Sequence, residues 1–429
     1  MPVITDFSQA NALLRQLYGQ YKTGGGAAEF YSLDRIRSLM AYLHNPQDSL
    51  RVLHIAGTSG KSSTAYFVAA LLKASGAFTG LSVSPHIFEV NERLQLDLIP
   101  LAEHDFCSAL GEFMDKVDKS CLQPSYFELL VALAYETFSA RKVDYAVMEV
   151  GLGGLLDGTN VVTRQDKVCL ITDIGLDHTR VLGKTIAQIA RQKAGIIQPG
   201  NQVFMHRQAA EVMDVVHETC QAQAATLHII DTDSITGMKT SIPDFQQRNL
   251  SLAAAAVSYV LHRDRDQQLT AEAIQTAAGT PIPGRMSIFM RGRQTIIVDG
   301  AHNEQKMGAL VRSLQAAYPN QQISALLAVV NGPDERWQQT LDILLPHIDS
   351  AIVTSFYQET DDRIKSSADP DTVGDYLKAH TKIAVTVVPE LGEAYQLLME
   401  QPESVLLITG SLYFLHDILP LAAMSTKPD

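Results

Sequence analysis

The sequence predicts an α/β protein with parallel sheets, divided into two domains. Three observations lead there. Apolar runs of strand length alternate with amphipathic helical patterns, the sequence signature of parallel strands covered by helices on both faces. The 429 residues are too many for one ordinary core. Near Thr280–Arg285 the run TPIPGR sets two prolines and a glycine within six residues, which suits a linker better than a helix or strand.

In the first part of the chain the expected strands are 52–56, 79–83, 144–150, 168–174 and 202–206. In the later part they are 294–298, 323–330, 350–354, 383–388 and 404–409. Helical patterns lie between them, for example at 125–141, 185–195, 249–262 and 304–317. Ligands of such sheets bind beyond the carboxyl ends of the strands, so polar residues that close an apolar run are the candidates for chemistry. No internal repeat or low-complexity segment stands out. Gly24-Gly25-Gly26 reads as a flexible or tight connection between helices. The alternative is a second phosphate loop, although no strand precedes it and no lysine follows.

Composition bounds the partners. Apolar residues make up 46% and charged residues 19%, as in a globular protein in water. A formal charge of −13 argues against nucleic acid or an anionic membrane as the main partner. It leaves room for anionic small molecules at a local basic site. The four cysteines, Cys107, Cys121, Cys169 and Cys220, show no metal-ligand spacing; Cys107, Cys169 and Cys220 lie in helix- or strand-like runs and read as buried thiols. No secretory signal pattern and no apolar run near ~20 residues is present, so a cytoplasmic enzyme is expected.

The most informative stretch is HIAGTSGKSS, residues 54–63. β-favouring Val52, Leu53 and Ile55 precede or enter it, and the helical pattern TAYFVAALLKASG follows. Strand, Gly-rich turn with Lys61, then helix is an arrangement that binds nucleotide phosphates. Gly57 and Gly60 let amides converge on an anion, the helix N-terminus adds its positive end, and Lys61 adds a full charge. Ile55 stands where the full Walker A spacing has its first glycine. The alternative is a surface turn with a chance Gly-Lys-Ser.

Other strand ends carry polar groups. Ser84-Pro85-His86 follows the second strand, where the Ser84 hydroxyl could reach Mg2+ or simply form a turn. Glu149 closes the run YAVME ahead of VGLGGLLDGTN, whose Gly151, Gly153 and Gly154 permit close backbone approach and whose Asp157 and Asn160 are polar. Asp177-His178 follows VCLITDIG; His178 is a metal ligand, a base or an ordinary surface histidine. In TIAQIARQKAG, Lys193 continues the apolar stripe Ile186, Ile189, Ala190. It either snorkels to solvent or points into a site. Later, QTIIVDGAHN places Asp299, His302 and Asn303 at a strand end, while Arg285 in the linker either reaches an interdomain cleft or makes a structural ion pair.

Taken together, these segments resemble the folylpolyglutamate synthase and dihydrofolate synthase branch of the Mur ligase family. The resemblance runs from about Ser32 to Tyr413 and includes SLDRIRSLMAYLHNPQDSLRVLHIAGTSGKSS, SPHIFEVNERLQLD, SYFELLVALAYETF, MEVGLGGLLDGTN, ITDIGLDHTRVLG, IARQKAGII, PGR, VDGAHN and ITGSLYFL, in the family's order. It implies an N-terminal P-loop ATPase domain, the Mur ligase central domain, over 1–283, and a Rossmann-like glutamate ligase domain over 284–429. Gly57, Thr58, Ser59, Gly60, Lys61, Ser62 and Ser63 would hold the ATP phosphates. Ser84, Glu149 and His178 match positions that hold Mg2+. Lys193 matches a lysine often carbamylated in the family, where the added carboxylate helps bind a second metal. Asn249 in FQQRN matches a contact on the adenine side, and Arg285, Asp299 and His302 match residues that close on the nucleotide. Lys61, His178 and Lys193 are thus the expected catalytic group.

The resemblance further implies ATP-dependent joining of L-glutamate to a folate or dihydropteroate carboxylate through an acyl phosphate; a monomer is expected, and the acidic charge argues against nucleic acid and membrane as partners. A Mur-type ligase for another acid and a non-catalytic nucleotide-binding protein are the alternatives. Departures from the family pattern are Ser59 and Ser62 in the loop, Glu304 after DGAHN, and Leu155 where an arginine is common. Leu155 bears on the identity of the acceptor.

Overall fold

A computed structural model of the chain describes residues 4–21, 32–230, 242–331, 337–359 and 364–425. The Gly24–Gly26 run lies outside the described residues. The chain divides into two compact units, Met1–Thr280 and Pro281–Asp429.

The first unit is built on an eight-stranded sheet ordered Ile99–Pro100, Gln95–Leu96, Thr79–Ser82, Tyr145–Glu149, Val52–Ala56, Val168–Ile171, Gln202–His206 and Thr226–Ile230. Every residue of Val52–Ala56, Tyr145–Glu149 and Val168–Ile171 is buried, because both faces of the sheet are covered. On one face Val52, Ala146 and Met148 pack with helices Asp34–Tyr42, Glu103–Ser120 and Tyr126–Ala140. Farther along it, Cys169, Ile171, Val203 and Met205 pack with Ile189 of helix Ile186–Ala194 and Val212 and Val216 of helix Ala210–Ala222. The opposite face is covered by helices Lys61–Ala74 and Asp244–Arg265, which also pack on each other. Residues 63–72 of the first of these are all buried, so its apolar character runs round the whole helix.

The strand order places the site. From Val52–Ala56 the chain first builds toward Thr79–Ser82, with Tyr145–Glu149 inserted between the two. It then crosses to the other side with Val168–Ile171. The carboxyl end of Val52–Ala56 is therefore a switch point, where diverging connections leave a crevice.

The second unit holds a six-stranded sheet ordered Ala384–Val387, Ser350–Val353, Ile323–Leu327, Val405–Thr409, Gln294–Asp299 and Ser287–Arg291. Its pairings are parallel except at the Ser287–Arg291 edge. A small hairpin, Tyr357–Glu359 with Ile364–Ser366, lies apart from it.

The α/β class and the parallel sheets agree with the sequence reading, with local differences. Gln95–Leu96 pairs antiparallel to both its neighbours. The stretch after Ser84 alternates in sequence but begins as a 3-10 turn, Val90–Arg93. The Glu92 carboxylate accepts the amides of Ile87, Phe88 and Glu89 at 2.9, 2.7 and 2.9 Å, which bends the chain out of an extended path. The helix expected at 249–262 spans Asp244–Arg265, entering after Pro243. Strands Thr226–Ile230 and Ser287–Arg291 were not expected; both are short edge strands with partly exposed residues and so lack a clear apolar run. Cys107, Cys169 and Cys220 are buried, while Cys121 is exposed.

Candidate active site

The loop between Val52–Ala56 and Lys61–Ala74 occupies the switch point. Gly60, at φ 90°, is in the left-handed region, and a Cβ there would lie 2.4 Å from Asn249 Oδ1. A Cβ on Gly57 would lie 1.7 Å from Thr172 Oγ1. Only glycine fits either position. The amides of Thr58 and Ser59 donate to the Asp173 carbonyl at 2.9 and 3.1 Å, and Thr58 Oγ1 donates to the Gly175 carbonyl at 3.1 Å. These two amides hold the loop to the neighbouring strand end. The first intrahelical bond runs from the Thr64 amide to the Gly60 carbonyl at 2.8 Å. The amides of Lys61, Ser62 and Ser63 lie ahead of it at the positive end of the helix, which suits an anion.

Three chain segments converge beside that helix end. Ser62 Oγ donates to Glu149 Oε1 at 2.8 Å, and the Ser84 amide donates to Glu149 Oε2 at 3.1 Å. Glu149 is buried at the end of its strand, so its carboxylate is fixed by both contacts. Glu149, Ser62 and Ser84 form a hard oxygen donor set. Among the described residues no group of three or more His, Cys, Asp or Glu is gathered as a thiolate- or imidazole-rich metal site would need. Mg2+, which takes few protein oxygens and fills its shell with water and substrate phosphate, fits this set.

Lys193 does not snorkel. It is buried, and its Nζ donates to the Gly57 carbonyl at 2.7 Å. Thr185 caps the helix that carries it, accepting the Gln188 amide while Gln188 returns a contact to Thr185. That cap sets the helix register, and two turns later Lys193 points at the glycine loop. His178 precedes the short helix Thr179–Leu182 at φ 46° without a side-chain capping bond, its ring 3.8 Å from the Asp177 carboxylate and its side chain more than half exposed.

Beneath the loop lies a buried polar stack, of which the sequence reading singled out Asp157 but not His54 or Thr159. His54 Nε2 donates to Thr159 Oγ1 at 2.8 Å, and Thr159 Oγ1 donates to Asp157 Oδ1 at 2.5 Å. Burial pushes the Asp157 carboxyl up from 3.8, against the opposing pull of the Leu152 amide, the Thr159 donors and the Lys61 charge. Burial, with the Lys167 charge, holds His54 well below 6.5. The signal in the sequence was a histidine inside an otherwise apolar strand.

Asn249 lies on helix Asp244–Arg265 against Gly60, with Nδ2 donating to Gln246 Oε1 at 3.3 Å. Its neighbour Arg248, also passed over, pairs with the Asp173 carboxylate at 2.9 Å. Leu155 is exposed, and its amide donates to the Gln192 carbonyl at 2.7 Å.

Within the second unit, Asp299 closes strand Gln294–Asp299 and accepts the amides of Met286 and Ala301, each at 2.8 Å. Burial pushes its carboxyl up, opposed by the nearby Arg285 charge and those amides. Arg285 Nη1 donates to the Gly284 carbonyl at 3.1 Å. His302 Nδ1 donates to the Gly300 carbonyl at 2.9 Å, which leaves Nε2 to accept from Lys306 Nζ at 3.2 Å. Asn303 caps the following helix by accepting the Lys306 amide.

Comparison with known proteins shows the family of the chain. Residues 55–227 match the Mur ligase middle domain family, and residues 286–421 match the dihydrofolate synthetase C-terminal domain family. The dihydrofolate synthetase of Saccharomyces cerevisiae is 30% identical over 420 residues, covering 90% of this chain and 96% of that protein. The dihydrofolate synthase/folylpolyglutamate synthase of Bacillus subtilis is 28% identical, covering 90% and 94%. The structure of Mycobacterium tuberculosis folylpolyglutamate synthase complexed with ADP superimposes with a TM-score of 0.81 at 26% identity, covering 99% of this chain and 100% of that one. The chain belongs to the dihydrofolate synthase and folylpolyglutamate synthase family of ATP-dependent glutamate ligases.

Proposed function

We propose that this ligase joins L-glutamate to the carboxylate of dihydropteroate or of a folate, and that the loop 57–63 holds the ATP phosphates during the reaction. The convergence of Ser62, Ser84 and Glu149 beside the N-terminus of helix Lys61–Ala74 carries the reading. A carboxylate resists attack by an amine because its charge repels the nucleophile. Phosphorylation by ATP gives an acyl phosphate, the glutamate amine attacks its carbonyl, and phosphate leaves. The acid and the γ-phosphate are both anionic, so cations must bring them together. Lys61 and the amides of residues 61–63 supply positive charge at the helix end. Mg2+ held by Glu149 with Ser84 would neutralise phosphate charge at the same place. His178 and Lys193 join that set by the family match, with a carbamate on Lys193 as a further anionic group. No enzyme nucleophile is needed.

Asn249 is proposed on the adenine side of the site. Arg285, Asp299 and His302 are proposed as nucleotide contacts of the second unit. Residues 1–283 then form the ATP-binding domain and 284–429 the glutamate ligase domain. A monomer working in the cytoplasm, without nucleic acid or membrane, fits the acidic charge of −13. Among the described residues no helix is long and apolar enough to cross a membrane.

The test is phosphate release from ATP with L-glutamate and each acid in turn. Release is expected with dihydropteroate or a reduced folate and not with UDP-linked muramyl acceptors. The reverse pattern would place the activity with peptidoglycan precursors.

A further inference from the structure

Arg248 stands outside the residues expected to act, yet it grips the phosphate loop from behind. Its Nε donates to both Asp173 carboxylate oxygens at 3.1 Å, and its Nη2 donates to Oδ1 at 2.9 Å. The main-chain carbonyl of the same Asp173 accepts the amides of Thr58 and Ser59. The next residue, Asn249, lies so close to Gly60 that a Cβ there would not fit. One turn of helix Asp244–Arg265 therefore reaches both flanks of the loop, residues 58–59 through Asp173 and residue 60 through Asn249. That turn is itself anchored. Arg248 Nη2 donates to the Arg207 carbonyl at 3.2 Å, and the Arg248 carbonyl accepts from Ser251 Oγ at 2.9 Å, with His206 Nε2 2.8 Å away.

We propose that Arg248 is a positioning residue for the nucleotide, acting through Asp173 to hold Thr58 and Ser59 so that the amides of Lys61, Ser62 and Ser63 keep their aim. The inference rests on the reading of residues 57–63 as the nucleotide loop. A guanidinium that meets a carboxylate through two nitrogens fixes direction as well as distance, which a lysine ammonium cannot do. Both side chains are partly exposed, so the pair contributes little to global stability. Its effect falls on the aim of the loop, where small misplacements are felt in substrate alignment.

The experiment is steady-state kinetics of the full chain carrying Arg248→Gln, Arg248→Lys, Asp173→Asn and the Arg248→Gln/Asp173→Asn pair, with Lys61→Ala alongside. Arg248→Gln and Asp173→Asn should each raise the ATP KM by about three- to fivefold. Arg248→Lys should fall between them and wild type. The pair should be no worse than either single change, because both remove one interaction. The KM values for glutamate and the acceptor should stay as in wild type. An unchanged ATP KM in the single variants, with Lys61→Ala impaired, overturns the inference. So does additivity in the pair, or a lowered melting temperature and kcat at unchanged ATP KM, the mark of a purely structural contact. If Lys61→Ala also turns over as wild type, the nucleotide-loop reading itself fails.

Discussion

Lys193 Nζ donates to the carbonyl of Gly57 at 2.7 Å, joining a helix end to the glycine loop across 136 residues of chain. Lys193 is buried with Ile189, Ala190 and Ala194 on its helix. Its head meets the Gly57 backbone carbonyl. A carbamate formed on Nζ keeps one N–H, so the modified side chain can still make this bond.

Lys193→Ala removes that donor and empties a buried site. Loss of a charged donor to a buried carbonyl should lower stability by about 2 kcal/mol, seen in the urea midpoint. Turnover should fall sharply. If a carbamate is formed, a short-chain carboxylate such as acetate at high concentration should recover part of it. Full activity in the variant would remove Lys193 from the site.

Glu149→Gln should keep the fold and weaken metal-dependent turnover. The amide oxygen can take the Ser84 N–H and the Ser62 hydroxyl can turn to accept from the new NH2, so both contacts of Glu149 survive in shape. The charge is lost, and the Mg2+ concentration for half-maximal rate should rise by about tenfold or more. His178→Ala should shift the same titration less, since its ring is largely exposed. Superimposable Mg2+ titrations of wild type and both variants would reject a metal role for the pair.

Much of this arrangement was legible in the sequence. A buried strand closed by Glu149, a glycine loop with Lys61, and a lysine on an apolar stripe are each local patterns with a physical cause. What was not legible depends on pairings distant in sequence. Asp173 matters through its carbonyl, and a carbonyl has no sequence signature. Arg248 matters because it meets Asp173, 75 residues away. The bend at 87–93 came from one carboxylate collecting three amides, which overrode an alternating pattern. Edge strands such as Thr226–Ile230 bury too little to leave a clear apolar run.

His54 should give stability a pH dependence. Its folded pKa lies well below 6.5, chiefly through burial, so the unfolded chain binds a proton there that the folded chain does not. The contribution is complete above pH 6.5 and is lost as pH falls below it toward the folded value. His54→Gln keeps a donor for Thr159 and does not titrate. The melting temperature of wild type should therefore fall more steeply than that of the variant on acidification below 6.5. Parallel curves would show that His54 does not carry the effect.

Leu155 is the position from which acceptor choice should be most easily altered. The side chain is 43% exposed, while its amide is held by the Gln192 carbonyl and its Cβ lies where a Cβ on Gly195 would collide with it. The backbone is thus fixed and only the outer part of the side chain faces solvent. Leu155→Arg restores the residue common in the family without burying a charge, so the melting temperature should stay within about a degree or two of wild type. A new cation on this loop should bind anionic carboxylates better and leave the loop at 57–63 untouched. The KM for the acid or for glutamate should change by about threefold or more while the ATP KM stays constant. Equal changes in all three would mean that the substitution disturbs the whole site, and no change would mean that acceptors do not reach this loop.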